Sequence, residues 1–540
     1  MYIAGEIMNE KSQTEELGTR FFDIAEASVR GGLFLFTGNT LATIISAITS
    51  ILIARLLGAF GYGLYSVSLI APSFLSIFVD LGVNSALVKY CAEFRTRRFN
   101  EQIVNLVKTS FLFKAFLSGI LFFILFCFSD QFATHFLRRP YISSLVRIAS
   151  VLIVLQMLYY TSSSVFIGLD KMEYNAVISV LQSFFKLFLA SILILLGFGV
   201  LGAVIGHITG YLVAGFVALL LVYNLCKKFR IRSKPLDFWN NVKFMIKYGF
   251  PLYFSGLLMG FLSQFQMIAL AWFVSDFDIG NFRAASNFLS LLGVVIIPVS
   301  TALFPAFSKF NFKEEKSETE KFFRYSLEYV LLLLVPVALF VGIVSKDLVF
   351  LVYGREFVPA TSYLSFLITI YLYSGISIVI NSFLNGVGRT DVTFRINLIN
   401  FLVSLPLVYF LTMFYGVFGL IASMIASGLA ALIYGLLTIV RDFSIRINFH
   451  SVLRIYLSTF LSGFLSFICS RWFFFSHLLD LILVAFVFFT SYLVLVPVIG
   501  AVDERDIEIL KSIFGRIKFL AFLVKVVLRF ESWLLKLCRR

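Results

Sequence analysis

Lys186 stands inside an apolar run from Tyr174 to Phe198, among Phe184, Phe185, Leu187 and Phe188. A charge at the centre of a bilayer costs about 2.5–3.5 kcal/mol on insertion scales, so such residues face a protein-lined or watery interior and mark a pathway. Lys114 lies near the middle of a second run, Ile103 to Phe128, and Arg55 and Arg283 lie near the ends of two more. Together these four cations suggest a cationic cavity that favours a negatively charged passenger. Plainer alternatives exist: Lys186 could pair with an acidic or carbonyl group between helices, Arg55 could cap the C-terminal end of its helix, and Arg283 lies only about a turn from the outer boundary. Lys108, two turns before Lys114, fits a side chain that reaches back to the membrane surface. Two carboxylates, Asp80 and Glu328, are candidates for ion or proton coupling, both near predicted cytoplasmic ends of spans.

The elements that must carry these residues are membrane helices. Hydrophobic residues make up 60% of the 540 positions and charged ones 14%, and about 20 apolar residues suffice to cross a bilayer. Fourteen such runs are expected, near 31–57, 62–87, 103–128, 142–167, 173–197, 200–225, 244–273, 280–307, 323–345, 361–386, 392–415, 417–440, 451–474 and 476–500. Backbone groups in hydrocarbon must be satisfied within the segment, and strict alternation is absent, so the runs read as helices and the fold as an all-α integral membrane protein.

Residues 1–30 carry Glu15, Glu16, Asp23 and Glu26 without a basic leader, which argues against a removable signal peptide and for an interfacial helix built on Leu17, Phe21, Phe22, Ala25 and Val29. Loop cations concentrate on one side, from Lys89 and Arg95 through Lys227, Lys228 and Lys243 to Arg389 and Arg446. The positive-inside rule then places both termini in the cytoplasm. The net charge of +15 is mostly this bias, so nucleic acid is not an expected partner. Residues 501–540 read as a basic amphipathic tail on the inner leaflet, with Ile509, Leu510, Ile513, Ile517 and Leu520 opposite Lys511, Arg516 and Lys518. The five cysteines and four histidines have no metal-binding spacing and no phosphate loop is present, so neither metal, cofactor nor ATPase motor is expected.

The chain also resembles itself. Phe60, Gly63 and Tyr65 return as Phe277, Gly280 and Phe282, and Gly199, Val200 and Gly202 as Gly416, Val417 and Gly419, at one constant offset of 217 residues. Gly168 and Lys171 match Gly386 and Arg389 with a one-residue slip. Two parallel six-helix repeats are therefore expected to form two lobes around a central cavity: an N-lobe over 31–225 and a C-lobe over 244–440, joined by a basic linker, 226–243, and followed by two extra C-terminal helices within 451–500.

Several motifs carry a family resemblance. The turn Ala54-Arg55-Leu56-Leu57-Gly58 with Phe60-Gly61-Tyr62-Gly63-Leu64-Tyr65, the pair Asp80-Leu81-Gly82 and Leu87-Val88-Lys89, then Phe166-Ile167-Gly168, Tyr248-Gly249-Phe250-Pro251, and Phe383-Leu384-Asn385-Gly386 with Gly388-Arg389-Thr390 follow in order. This series resembles the polysaccharide-synthesis flippases, in the superfamily that also holds multidrug exporters and lipid II flippases. The resemblance implies alternating-access transfer of a polyprenyl- or dolichyl-(pyro)phosphate-linked oligosaccharide from the inner to the outer leaflet of the cell membrane, with glycan-assembly enzymes and membrane lipids as neighbours and no enzymatic step. On that reading Lys186 and Lys114, with Arg55 and Arg283 farther out, meet phosphate. Asn39, Gln156, Gln182, Gln264, Gln266, Asn287, Asn397 and Asn400 are available to sugar hydroxyls. Two other readings stay open. A cation-coupled multidrug antiporter of the same superfamily would be expected to line its cavity with acidic residues. A membrane glycosyltransferase would use Asp276-Phe277-Asp278 as a metal site.

Overall fold

The computed structural model describes residues 38, 40–229, 237–310, 312, 314–472 and 476–502. The expected N-terminal interfacial helix, the basic tail from 503, the centre of the 226–243 linker and Asn39 lie outside the described residues. Within them, regular structure is entirely helical, as hydrocarbon requires of an unclosed backbone.

Among the described residues, ten helical segments are long and apolar enough to cross a membrane, where fourteen spans are expected. Three of the ten, Thr40–Asp80, Met172–Lys228 and Thr390–Asp442, have 41, 57 and 53 residues, well beyond the roughly 20 that one crossing takes. Each contains glycine in the left-handed region: Gly58 (φ +68°), Gly197 and Gly199 (+93° and +52°), and Gly416 (+56°). The breaks expected between spans one and two, five and six, and eleven and twelve thus shrink to one or two glycines. Expected span eight lies within a 33-residue helix, Asp276–Ser308.

The chain divides into two compact units. The first takes in residues up to Leu57 and Leu64–Gln264. It contains most of α1 (40–68), then α2 (Ile70–Asp80), α3 (Val83–Thr96), α4 (Asn100–Cys127), α5 (Leu152–Gly168), α6 (Met172–Leu193), α7 (Gly199–Lys228) and much of α8 (Phe238–Phe273). Its core gathers Val83, Leu87, Ile103, Phe166, Ile178, Ala214 and Met245, and so holds α3 in place. The α6–α7 pair is a tight antiparallel hairpin. Gly202, Gly206 and Gly210 recur every four residues, and a Cβ added to each would come within 2.9 Å of Leu193, 2.4 Å of Ala190 and 2.6 Å of the Gln182 carbonyl. Small residues at this spacing let membrane helices approach closely.

The second unit comprises Gly58–Gly63 and the chain from Phe265. Its helices are α9 (Asp276–Ser308), α10 (Lys316–Ile343), α11 (Val358–Gly386), α12 (Thr390–Asp442), α13 (Phe449–Trp472) and α14 (His477–Val498). Phe383, fully buried, is the hub of its core, with its ring centroid 5.5 Å from that of Phe307 and 5.0 Å from that of Phe443.

The repeat is visible in backbone geometry. Gly199 (φ 52°, ψ −131°) and Gly416 (φ 56°, ψ −132°) adopt the same conformation, one that side chains disfavour. Gly168 packs on the Leu87 carbonyl and Gly386 on that of Phe304, the carbonyls 217 residues apart and the glycines 218. Within the second unit, a Cβ at Gly63 would lie 1.8 Å from the Asp276 carbonyl and one at Gly280 1.9 Å from that of Ala59. Exchanging the repeats maps this contact onto itself. Gly199→Ala and Gly416→Ala are therefore expected to destabilise equally, by about 1–3 kcal/mol each; thermal unfolding of the purified variants checks this, and a marked inequality would mean that the two turns are not equivalent.

Candidate functional site

Sequence reading carries span two to residue 87 and sets Asp80 near its cytoplasmic end. The structure differs. Helix α2 stops at Asp80, Leu81 (φ +46°) and Gly82 (φ +87°) are both left-handed, and the 14-residue α3 resumes at Val83. Asp80 thus sits at a break between two helices, with α3 between it and the turn at 97–99. The break persists because packing determines it. Gly82 abuts Gly249 so closely that a Cβ would lie 2.2 Å from its carbonyl carbon, and Val83, Ala86 and Leu87 are wholly buried. The motifs Asp80-Leu81-Gly82 and Tyr248-Gly249-Phe250-Pro251, distant in sequence, meet at this contact.

The break lets three side chains converge. The Lys114 ammonium, 2% exposed, donates to Asp80 Oδ1 at 3.0 Å and to Asn84 Oδ1 at 2.8 Å. Asp80 Oδ1 also accepts the Asn84 backbone N–H at 3.1 Å, so the carboxylate sits at the positive end of α3. A buried lysine in such a bundle needs this pairing, since an isolated ammonium in a low-dielectric interior is costly.

The cluster forms one wall of a cavity of about 380 Å³. Around it stand Ser73, Ser76, Gln156, Tyr160 and Gln264, with Ile77, Val79, Ile153 and Met157 as the apolar remainder. The cavity therefore offers a cation, a carboxylate, three amides and three hydroxyls. Tyr160 also links it to a polar aromatic group: its hydroxyl is 3.4 Å from that of Tyr211, whose ring lies 5.5 Å from His207, and His207 Nδ1 shares a hydrogen bond with the Tyr65 hydroxyl at 2.8 Å.

Of the residues singled out from sequence, Lys114, Asp80, Gln156 and Gln264 meet here. Lys186 does not line this cavity. It is half-buried in the α6–α7 seam, and Gly210 leaves the room its Cβ occupies, 3.0 Å from where a glycine-borne Cβ would be. Gln182 is half-buried on the same seam. Arg55 is exposed. In the second unit Arg283 is exposed, while Gln266, Glu328, Asn397 and Asn400 are half-buried. Asn287 donates to the hydroxyls of Tyr62 and Tyr353 at 3.0 and 3.1 Å. The Asp276–Asp278 pair forms a helix start: Ser275 caps the Asp278 N–H, Asp278 accepts from Ser275 and Tyr363, and Asp276 is 4% exposed. Asn84, Ser73, Ser76 and Tyr160 escaped sequence reading. For Asn84 a signal existed, because Asp80 and Asn84 stand four apart and a mid-membrane lysine needs a counter-ion.

The family model described as "Polysaccharide biosynthesis protein" matches residues 28–311, more than half of the chain. The chain belongs to this family. A second model, described as MatE, matches residues 251–410. The chain is 23% identical over 368 residues to a protein named as an O-antigen transporter from Shigella dysenteriae, covering 66% of this chain and 85% of that one. It is 25% identical over 352 residues to the succinoglycan biosynthesis transport protein ExoT of Rhizobium meliloti, covering 64% and 67%. Among solved structures, the lipid II flippase MurJ in an inward closed conformation has the same fold, with a TM-score of 0.71 at 16% identity over 86% of this chain and 98% of that one.

Proposed function

We propose that this protein is a flippase that moves a polyprenyl- or dolichyl-(pyro)phosphate-linked oligosaccharide from the inner to the outer leaflet by alternating access. The observation that carries the reading is the buried Lys114 at a broken helix, opening on an amide- and hydroxyl-lined cavity. Interrupted helices at substrate sites are a recurrent device in secondary transporters. A sugar-phosphate head cannot cross hydrocarbon unaided, because each unpaired polar group costs several kcal/mol. Here the phosphate competes with Asp80 for Lys114, and Gln156, Gln264 and the hydroxyls take the place of water around the first sugar. A cavity of about 380 Å³ holds a phosphate and its first sugar, while the lipid remains in the membrane.

Asp80 is then the resident counter-ion of the empty site and the first candidate for coupling; Glu328 is the second. Lys186, Arg55 and Arg283 serve as further phosphate contacts along the path, with Gln182, Gln266, Asn287, Asn397 and Asn400 for sugar hydroxyls. The family and the transport proteins it resembles support a carrier without a catalytic step. The asymmetry of loop cations supports an orientation with both termini on the cytoplasmic side of the membrane.

A cation-coupled exporter is the second reading, favoured by the MatE match and by a carboxylate at the cavity. One assay separates them. Purified protein in liposomes is expected to flip a lipid-linked sugar and not to accumulate a cationic drug across an imposed ion gradient; drug uptake without flipping would reverse the assignment. In cells, Lys186→Ala is expected to abolish glycan export with protein level and membrane insertion retained. Normal export by that variant would remove Lys186 from the path.

A further inference from the structure

The basic end of the α6–α7 hairpin holds a second cavity, of about 420 Å³, that the transport reading does not use. Lys227 and Lys228 from the last turn of α7 line it, with Asn224, Tyr174 at the start of α6, and Leu221 and Leu225. Both lysines and Asn224 are exposed, Leu225 is buried and Tyr174 is half-buried, its ring set edge-on against Phe166 at 5.6 Å. Among the described residues no carboxylate pairs with either lysine, and Glu173, the neighbour of Tyr174, is engaged by Lys171 at 3.7 Å. Two adjacent cations, an amide and a phenol therefore converge around an uncompensated site.

An apolar hollow of about 270 Å³ begins close by on α6, lined by Ala176, Val177, Val180 and Leu181. Tyr174, Val177 and Leu181 recur at i, i+3 and i+7, so the wall of the polar cavity and the edge of the apolar hollow share one stripe of the helix. Leu220, Tyr223 and Val177 are exposed beside them, as residues that meet lipid would be. A charged, hydrogen-bonding pocket at the end of a membrane hairpin, continued by an apolar hollow toward its middle, has the chemistry of a phosphate-headed lipid with its acyl chain.

We infer that this end of α6–α7 binds an anionic phospholipid of the surrounding membrane, its phosphate on Lys227 and Lys228 with Asn224 and the Tyr174 hydroxyl, and one chain along Val177 and Leu181. Basic pockets between helices at a membrane face bind anionic headgroups in this way. The site is built from residues other than those around Lys114, so it stands or falls apart from the identity of the cargo.

The test uses the full chain, purified and presented with phosphatidylglycerol or phosphatidylcholine of identical acyl chains, with bound lipid counted by native mass spectrometry. The wild type is expected to retain phosphatidylglycerol in preference, and Lys227→Gln/Lys228→Gln to bind it about thirtyfold more weakly, while Lys227→Arg/Lys228→Arg keeps it. Both positions are exposed, and the arginine pair controls for folding. Equal retention of the two lipids by the wild type, or unchanged retention by the glutamine pair, overturns the inference. A third arm adds a polyprenyl phosphate. If it displaces phosphatidylglycerol at equal concentration, the pocket belongs to the lipid-linked cargo and a membrane-lipid site is refuted; failure to displace supports the bulk lipid as occupant.

Discussion

Lys114→Met is expected to end transport and to lower stability by about 3 kcal/mol, the low end of the range for breaking a buried ion pair. The low end applies because Lys114 is 2% exposed and its partner Asp80 27% exposed, so the stranded carboxylate keeps some water. The double variant Lys114→Met/Asp80→Asn separates structure from function. It leaves no uncompensated charge, and the amide introduced in place of the carboxylate can still cap α3, so most of the lost stability returns; the site then has no cation for a phosphate, so transport does not. Thermal unfolding of the solubilised protein and flipping in liposomes read the two quantities independently. A double variant that flips at the wild-type rate would show that Lys114 is only a brace between α2 and α4.

Gly82→Ala is the second large effect. Its φ of +87° already strains any residue with a Cβ, by about 1–2 kcal/mol, and that atom would lie 2.2 Å from the Gly249 backbone. Helices α3 and α8 must then part, which moves Asn84 and Asp80 away from Lys114. A total loss of about 3 kcal/mol or more is expected, enough to remove much of the protein from the membrane when whole-domain stabilities are about 5–15 kcal/mol. Gly249→Ala tests the contact without the dihedral, since a Cβ there would lie 2.0 Å from the Gly82 carbonyl oxygen. Both variants are compared by membrane accumulation and unfolding temperature. If Gly249→Ala accumulates and exports normally, the glycine–glycine contact does not hold the cation cluster in place.

The repeat was legible because its glycines are required by backbone geometry. Gly199 and Gly416 occupy a region of φ and ψ that other residues avoid, so the same turn demands the same residue at the same offset. The crossings are harder to separate by helix length, because glycine breaks in three long helices leave almost no polar loop between spans. The break at Leu81–Gly82 was hidden for a related reason. Leu81 is apolar and continues the hydropathy of span two, and only the packing of Gly82 on Gly249 and of Val83 and Leu87 in the core forces it left-handed.

Sequence by itself determined the class, the helical state of the backbone and the presence of costly charges, since transfer free energies depend on composition and run length and need no partner. It pointed to Lys114, Asp80, Gln156 and Gln264 one at a time, each for its own polarity. Only the tertiary structure decided that these four share one cavity and that Lys186 lies in a different seam, opposite Gly210. Hydrogen bonds act over about 3 Å, and whether two residues come that close depends on where α2 breaks and how α4 and α5 pack against it. That is a property of contacts between distant segments, which periodicity along one segment does not record.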